Sequence, residues 1–408
     1  MRKEIANYIE LIIRIGINIQ KGQILVVSAP VETFEFTRKV VEIAYKFGAK
    51  EVVINWVDEV CGKYRYIYGA DEIFDNYPKY QADMMKDYAE KGAAFLSIYA
   101  TDPEILKDVD QERVARAQKA RSIALKDYYS KVMNNENQWC VVSIPTDAWS
   151  KKIYPDLQGE EAKEKLWNQI LSIVRADSEN PVEEWNKHLT NLKNTMNYLN
   201  SMKFRKLRYR NSLGTDLEIG LPKGHIWTAG GETSKDGVYF VANMPTEEVF
   251  TLPKKDEVNG IVYSSKPFCY GGNLIKNFYL KFENGRVVEA GAEKGEETLI
   301  KLLDSDDGAR YLGEVALVPY DSPISNSNTV FYNTLFDENA SCHLALGQAY
   351  PVCLEGGSEM NEDELKKNGV NISMVHEDFM VGTSDLEIVG VTEDGEEILI
   401  MKDGNFCK

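Results

Sequence analysis

KGQILVVSAPVETFEFTRKVVEIAYKFGAKEVVINWV (21–57) decides the first half of the chain. ILVVSA is apolar without alternation, as expected for a strand buried on both faces, and Gly22 announces it. Residues 31–50 carry apolar side chains at helical spacing and close on Gly48. EVVINWV (51–57) is a second apolar run. Strand, helix and strand in that rhythm predict a parallel βαβ unit. The rhythm continues outward. A helix is expected around 80–91, a strand at 93–100, a long charged helix around 110–132 and a strand at 139–145. Two further helices follow, near 159–175 and 181–202. The N-terminal stretch reads as an amphipathic helix. Its apolar run is broken by Arg14 and lacks a small-residue cleavage site, so no signal peptide is expected. The first strand runs into SAPVET with no glycine-rich turn, which argues against a nucleotide fingerprint. This half is therefore read as a scaffold or association domain.

Near residue 202 the texture changes. FRKLRYRNSLGTDLEIGLP (204–222) reads as two strands around Asn211-Ser212-Leu213-Gly214. Asn284-Gly285, Asp394-Gly395 and Asp403-Gly404 are turn dipeptides between alternating stretches. One helical insert (293–314) interrupts them. The expectation is an α/β domain over 1–202, followed by a strand-rich α+β domain over 203–408.

The 408 residues carry a net charge of −17, which disfavours a nucleic-acid partner, since phosphates need a basic footprint. No apolar run is long enough for a membrane span. The six cysteines form no CxxC pair and are read as free thiols of a reducing compartment.

Metal-binding chemistry gathers in four segments of the second half. ANMPTEEVFTLP (242–253) brings Glu247 and Glu248. YLGEVALVP (311–319) brings Glu314 at the mouth of an apolar strand. FDENASCHLALGQAY (336–350) reads as a helix capped by Asp337 or Asn339, with His343 and Tyr350 two turns apart on one face; Cys342 beside them is assigned to packing. MVHEDFMVG (374–382) reads as a strand that points His376 and Asp378 to one side and Glu377 to the other. Two of the chain's four histidines lie in these segments. Carboxylates and imidazoles suit Zn²⁺, Co²⁺ or Mn²⁺. Three carboxylates and two histidines exceed the need of one zinc and fit two ions sharing a carboxylate and a water. Each residue also has an ordinary structural explanation taken alone. His225, before a glycine-rich turn, fits either a substrate pocket or a structural role, and His188 in a charged helix is expected to be exposed.

ANMPTEEVFTLP, LGEVALVP, FYNTLFDENASCHLALGQAY and MVHEDFMVG, in that order, resemble the aminopeptidase T family of dinuclear metallo-aminopeptidases. GQILVVSAP and WCVVSIPTDAW extend the likeness to the N-terminal half. The resemblance implies metal ligands at Glu248, Glu314, His343, His376 and Asp378, an active-site tyrosine at Tyr350 and two divalent ions. It also implies an α/β domain joined to a catalytic domain, and a homodimer acting on peptides. Glu247, beside a ligand but not needed as one, is our candidate general base. The expected location is the cytoplasm. Another dinuclear hydrolase, such as a phosphoesterase, and a non-catalytic peptide-binding protein on the same scaffold are the rival readings.

Overall fold

The computed structural model describes residues 2–271 and 273–407, apart from the Cys269 side chain. Two compact units emerge. One comprises Met1–Lys187 and Gly231–Pro245, the other His188–Gly230 and Thr246–Lys408.

In the first unit, Ile24–Pro30 is the buried strand expected from its apolar run, followed by a helix at Phe34–Lys46 and the strand Glu51–Val57. Ile24–Pro30 pairs in parallel with Glu51–Val57 on one side and Ala94–Ile98 on the other. Trp139–Val142 then pairs with Ala94–Ile98, and the short strand Asn243–Met244 adds to the outer edge, again in parallel. The sheet is thus all parallel, as the βαβ rhythm predicted. Val26 and Phe95 meet Ala89 and Ala93 in one of its apolar clusters. The charged helix expected over 110–132 is two helices, Gln111–Ala124 and Lys126–Met133. The backbone leaves helical geometry at Leu125, whose side chain is buried, and no breaker residue marks the spot.

The sequence reading also missed the helix Glu59–Tyr68, capped by Asp58 accepting from the Cys61 N–H. Its first residue has a consequence for stability. Burial, then the carboxylates of Glu32 and Asp102, raise the Glu59 carboxyl from 4.5 to about 7, against one hydrogen bond from the Asp102 N–H. A pKa raised on folding contributes stability that is complete below pH 4.5 and is lost as pH rises through about 7. Glu59→Gln is therefore expected to melt near the parent at pH 5 and above it at pH 8. The gain should be on the order of 1 kcal/mol once solvent screening of a half-exposed group is allowed for. Melting curves at both pH values check this; a difference that does not change with pH would reject it.

The second unit holds two antiparallel sheets. In the larger, strands run in the order Phe268–Tyr270, Asn273–Glu283, Val258–Tyr263, Asp216–Gly220, Phe204–Arg210, Glu387–Thr392, Glu397–Lys402 and Asn405–Phe406, and Arg286–Lys294 also pairs with Asn273–Glu283. The turn dipeptides act as expected. Asn284 and Gly285 both have positive φ (48° and 82°), as do Asp403 and Gly404 (50° and 71°), which is what a tight two-residue hairpin demands. The helical insert is Glu296–Leu303. The smaller sheet runs His376–Met380, His343–Gly347, Leu312–Leu317, Val249–Thr251, Thr228–Ala229.

A further expectation fails. Residues 336–350 are not a helix. A short helix, Thr334–Glu338, ends before a strand at His343–Gly347, so His343 and Tyr350 share no helical face. Leucine and alanine favour helix locally, but the segment lies between two strands and is buried on both faces, and tertiary pairing overrides propensity.

Candidate metal centre

The smaller sheet sorts its side chains by alternation. Ala345 lies opposite both Glu314 and Asp378, Gly347 opposite His376, and Ala316 opposite His343. Glu314, His343, His376 and Asp378 therefore point to one face. Val315, Leu317, Leu344, Leu346 and Phe379 point to the other, where they join the large apolar cluster of this unit. The core thus fixes the strands from behind, and on the ligand face the other residues are Ala316, Ala345 and Gly347, with Met380 opposite His343. The register shifts at Gly313, so that Leu312 faces Leu346 while Glu314 faces Ala345. Such a bulge re-aims the side chain that follows it. Glu248 joins from the residue before the strand Val249–Thr251, whose Val249 lies opposite Leu317.

Glu314 is the centre of the cluster. Its Oε1 lies 3.6 Å from His343 Nε2, and its Oε2 lies 3.3 Å from His376 Nε2. Glu248 Oε2 approaches His343 Nε2 at 3.1 Å, and Asp378 Oδ1 approaches His376 Nε2 at 3.5 Å. Two ligand sets result, Glu248–Glu314–His343 and Glu314–His376–Asp378, each with its donor atoms within 4.8 Å of one another. They share Glu314. Both imidazoles are anchored through the far nitrogen, His343 Nδ1 on Ser341 O at 3.1 Å and His376 Nδ1 on Gln348 O at 2.7 Å. That leaves Nε2 of each facing the carboxylates, the usual arrangement of a histidine that ligates a metal.

The electrostatics fit cations. Burial disfavours charge on both imidazoles, yet the surrounding carboxylates raise His343 and His376 well above the ordinary histidine value. Burial also works against ionised Glu314, but the two imidazoles beside it bring it down to about 2. Burial raises Glu248. Divalent ions would take the place of the imidazolium protons, so uptake of metal must release protons. Asp378 Oδ1 is buried without a hydrogen-bond donor.

A residue that sequence reading missed is Glu338, the last residue of the helix Thr334–Glu338. Burial, then the charges of Asp378 and Glu248, raise its carboxyl well above the ordinary value, so it sits in the field of the same cluster. Glu338 thus joins Glu248, Glu314 and Asp378 in one buried acidic cluster. The acids of FDENAS read as a helix start, and that disguised the second of them.

The other candidates fall as follows. Tyr350 lies T-shaped to the His376 ring at 4.7 Å, and burial, then nearby carboxylates, raise its hydroxyl, so it stays a phenol able to donate. Glu247 is buried; its N–H donates to Asn339 Oδ1 at 2.7 Å. His188 is not exposed as expected: its Nε2 lies 2.7 Å from Thr246 O and 3.6 Å from Glu247 Oε2. His225 belongs to neither ligand set. Its Nδ1 meets Pro222 O at 3.0 Å, and it lines a cleft of about 970 Å³ with Lys223 and Glu355. Cys342 is buried packing material, as expected.

Comparison with known proteins points to a metal enzyme. Residues 1–406 match the family model described as thermophilic metalloprotease (M29). Aminopeptidase 2 of Geobacillus stearothermophilus is 48% identical over 99% of this chain and 98% of its own. Aminopeptidase T of Thermus aquaticus is 40% identical over 97% of each chain. The solved structure of wild-type AmpT from Thermus thermophilus superposes with a TM-score of 0.93 at 38% identity, covering 99% of each chain.

Proposed function

Because the chain belongs to the thermophilic metalloprotease (M29) family and is a metal-dependent aminopeptidase, we propose that it works with two divalent cations bridged by Glu314. One set would be Glu248, Glu314 and His343, the other Glu314, His376 and Asp378. The observation that carries this reading is that the two oxygens of Glu314 each face a different imidazole. Zn²⁺, Co²⁺ and Mn²⁺ all suit these ligands. Bound there, such ions would lower the pKa of a shared water and polarise the scissile carbonyl, and one could take the free α-amine of a peptide.

The chain's own residues supply the rest. Ser341 O and Gln348 O hold the two imidazoles in one tautomer. Tyr350 donates its hydroxyl toward the oxyanion of the tetrahedral intermediate. Two carboxyls outside the ligand sets can move the proton from water to the leaving amine. Glu247 is the one proposed from sequence. Glu338 is favoured by its place in the field of Asp378 and Glu248. Glu247→Gln and Glu338→Gln separate them: the variant of the true base is expected to lose about 10²–10⁴-fold in kcat with its metal content intact. Near-parental kcat in either variant removes that residue from the role.

The phosphoester reading is weaker. Arg310, the cation nearest in sequence to Glu314, is engaged by Asp304 at 2.6 Å and by Val287 O. His225 is proposed to meet substrate, on the strength of its cleft alone. No helix among the described residues is long and apolar enough to cross a membrane. We propose a cytoplasmic homodimer, from the scattered cysteines of the sequence, which form no CxxC pair, and the family resemblance.

The test is hydrolysis of a leucine anilide by protein stripped of metal and refilled with Co²⁺ or Zn²⁺. Activity should vanish on stripping, return on refilling and be absent on the N-acetylated substrate. Retained activity in the stripped protein would sink the metal-dependent mechanism. Two bound ions with no activity under any metal would move the choice to another hydrolase or a binding protein.

A further inference from the structure

Three segments meet where the ligand-bearing strands come together: the loop before Leu312–Leu317, the end of His343–Gly347 and the approach to His376–Met380. One wholly buried side chain ties them. Asn371 Nδ2 donates to Gly347 O at 2.6 Å and to Gly308 O at 2.8 Å. The Ala349 N–H donates to the Asn371 carbonyl at 3.0 Å. The Asn371 side chain thus holds the residue before Gln348, through Gly347 O, while its main-chain carbonyl holds the residue after it, through Ala349 N. The carbonyl of Gln348 is the one that receives His376 Nδ1 at 2.7 Å. Its N–H donates to Val375 O at 2.7 Å, and its side-chain oxygen accepts from the Ser373 N–H at 2.9 Å. The carbonyl has no slack: a Cβ added at Gly313 would lie 2.4 Å from it. Asn371 Oδ1 is buried with no partner, so the side chain is oriented by Nδ2 alone, which also reaches Tyr311 O at 3.4 Å.

We infer that Asn371 is a positioning residue for the second metal set: it fixes the Gln348 peptide and, through it, the direction of His376 Nε2. The inference rests on the two-ion reading of the centre. Asn371 touches neither an ion ligand nor substrate, so its effect passes entirely through the Gln348 carbonyl. Outer-shell partners of this kind typically contribute 10–100-fold to metal affinity. Asp306 offers a control. It holds the same segment, accepting from Met374 N at 2.5 Å and Ser373 Oγ at 2.8 Å, but it does not grip the Gln348 peptide.

The experiment is Co²⁺ titration of the stripped full-length protein, followed by calorimetry and by the visible absorption of the bound ion. It compares the parent with Asn371→Leu, Asn371→Asp and Asp306→Asn, at a temperature where each is folded by circular dichroism. Should Asn371→Leu not fold, Asn371→Ser takes its place. The parent is expected to bind two equivalents. The Asn371 variants should bind one with parental affinity and the other 10–100-fold more weakly, with altered absorption of that equivalent. Asp306→Asn should melt at lower temperature yet keep both affinities. Folded Asn371 variants with parental affinities and absorption would overturn the inference, and so would an equal loss in Asp306→Asn. A parent that binds fewer than two equivalents would instead overturn the two-ion reading.

Discussion

Glu314→Ala is expected to abolish binding of both ions together and to lower kcat/KM by about 10³-fold or more, on the order of 4 kcal/mol of transition-state stabilisation. The reason is geometric. Glu248, His343, His376 and Asp378 each belong to one ligand set, whereas Glu314 belongs to both. Its two oxygens lie 3.6 Å and 3.3 Å from different imidazoles, so no other side chain can replace it on both sides. The single-set variants Glu248→Ala and Asp378→Ala should each release one equivalent and keep the other. Equilibrium dialysis with metal analysis distinguishes the patterns. A Glu314→Ala protein that retains two equivalents would show that the carboxylate does not bridge.

Tyr350→Phe is the second large effect. The ring sits 4.7 Å from His376 and packs with the cluster of Leu252, Ala349, Cys353 and Leu354, and phenylalanine keeps those contacts. Only the hydroxyl is lost. Removing one donor from a developing oxyanion costs about 10²–10³ in kcat. KM and metal content should stay near parental if the hydroxyl acts on the intermediate. A fall in metal affinity would instead make Tyr350 a ligand, and an unchanged kcat would remove it from the chemistry. Because the His376 ring keeps its aromatic neighbour, this variant also separates the contribution of Tyr350 from that of Asn371.

How much of this was legible in the sequence differs by element. The parallel sheet was, because ILVVSA is a continuous apolar run of the kind a doubly covered strand requires and a helix links it to EVVINWV, which forms the half-buried edge strand. The hairpins were, because Asn284-Gly285 and Asp403-Gly404 can adopt positive φ at both turn positions. The His376–Asp378 strand was, from its spacing. The strand His343–Gly347 was not, although a signal was there. His, Ala and Gly alternate with two leucines, a period of two that helix-favouring composition masked. Glu338 was hidden for a related reason: an acid beside Asp337 fits a helix start so well that no further role was sought. The short strand Asn243–Met244 carries no local signal at all, since two residues show no period and their partner, Val141–Val142, lies far back in the chain. The grip of Asn371 on Gly308, Gly347 and Ala349 is equally invisible, because it depends on three loops meeting.

That short strand sets a timetable. During synthesis, Trp139–Val142 leaves the ribosome well before the residues that will cover its outer edge. The intervening stretch, roughly 100 residues, takes about 5–20 s to make at ordinary elongation rates. Over that interval the nascent sheet presents an unpaired edge, the kind of surface to which other chains add. Translation speed and chaperone supply, rather than the stability of the finished molecule, should therefore govern how much of this protein escapes aggregation.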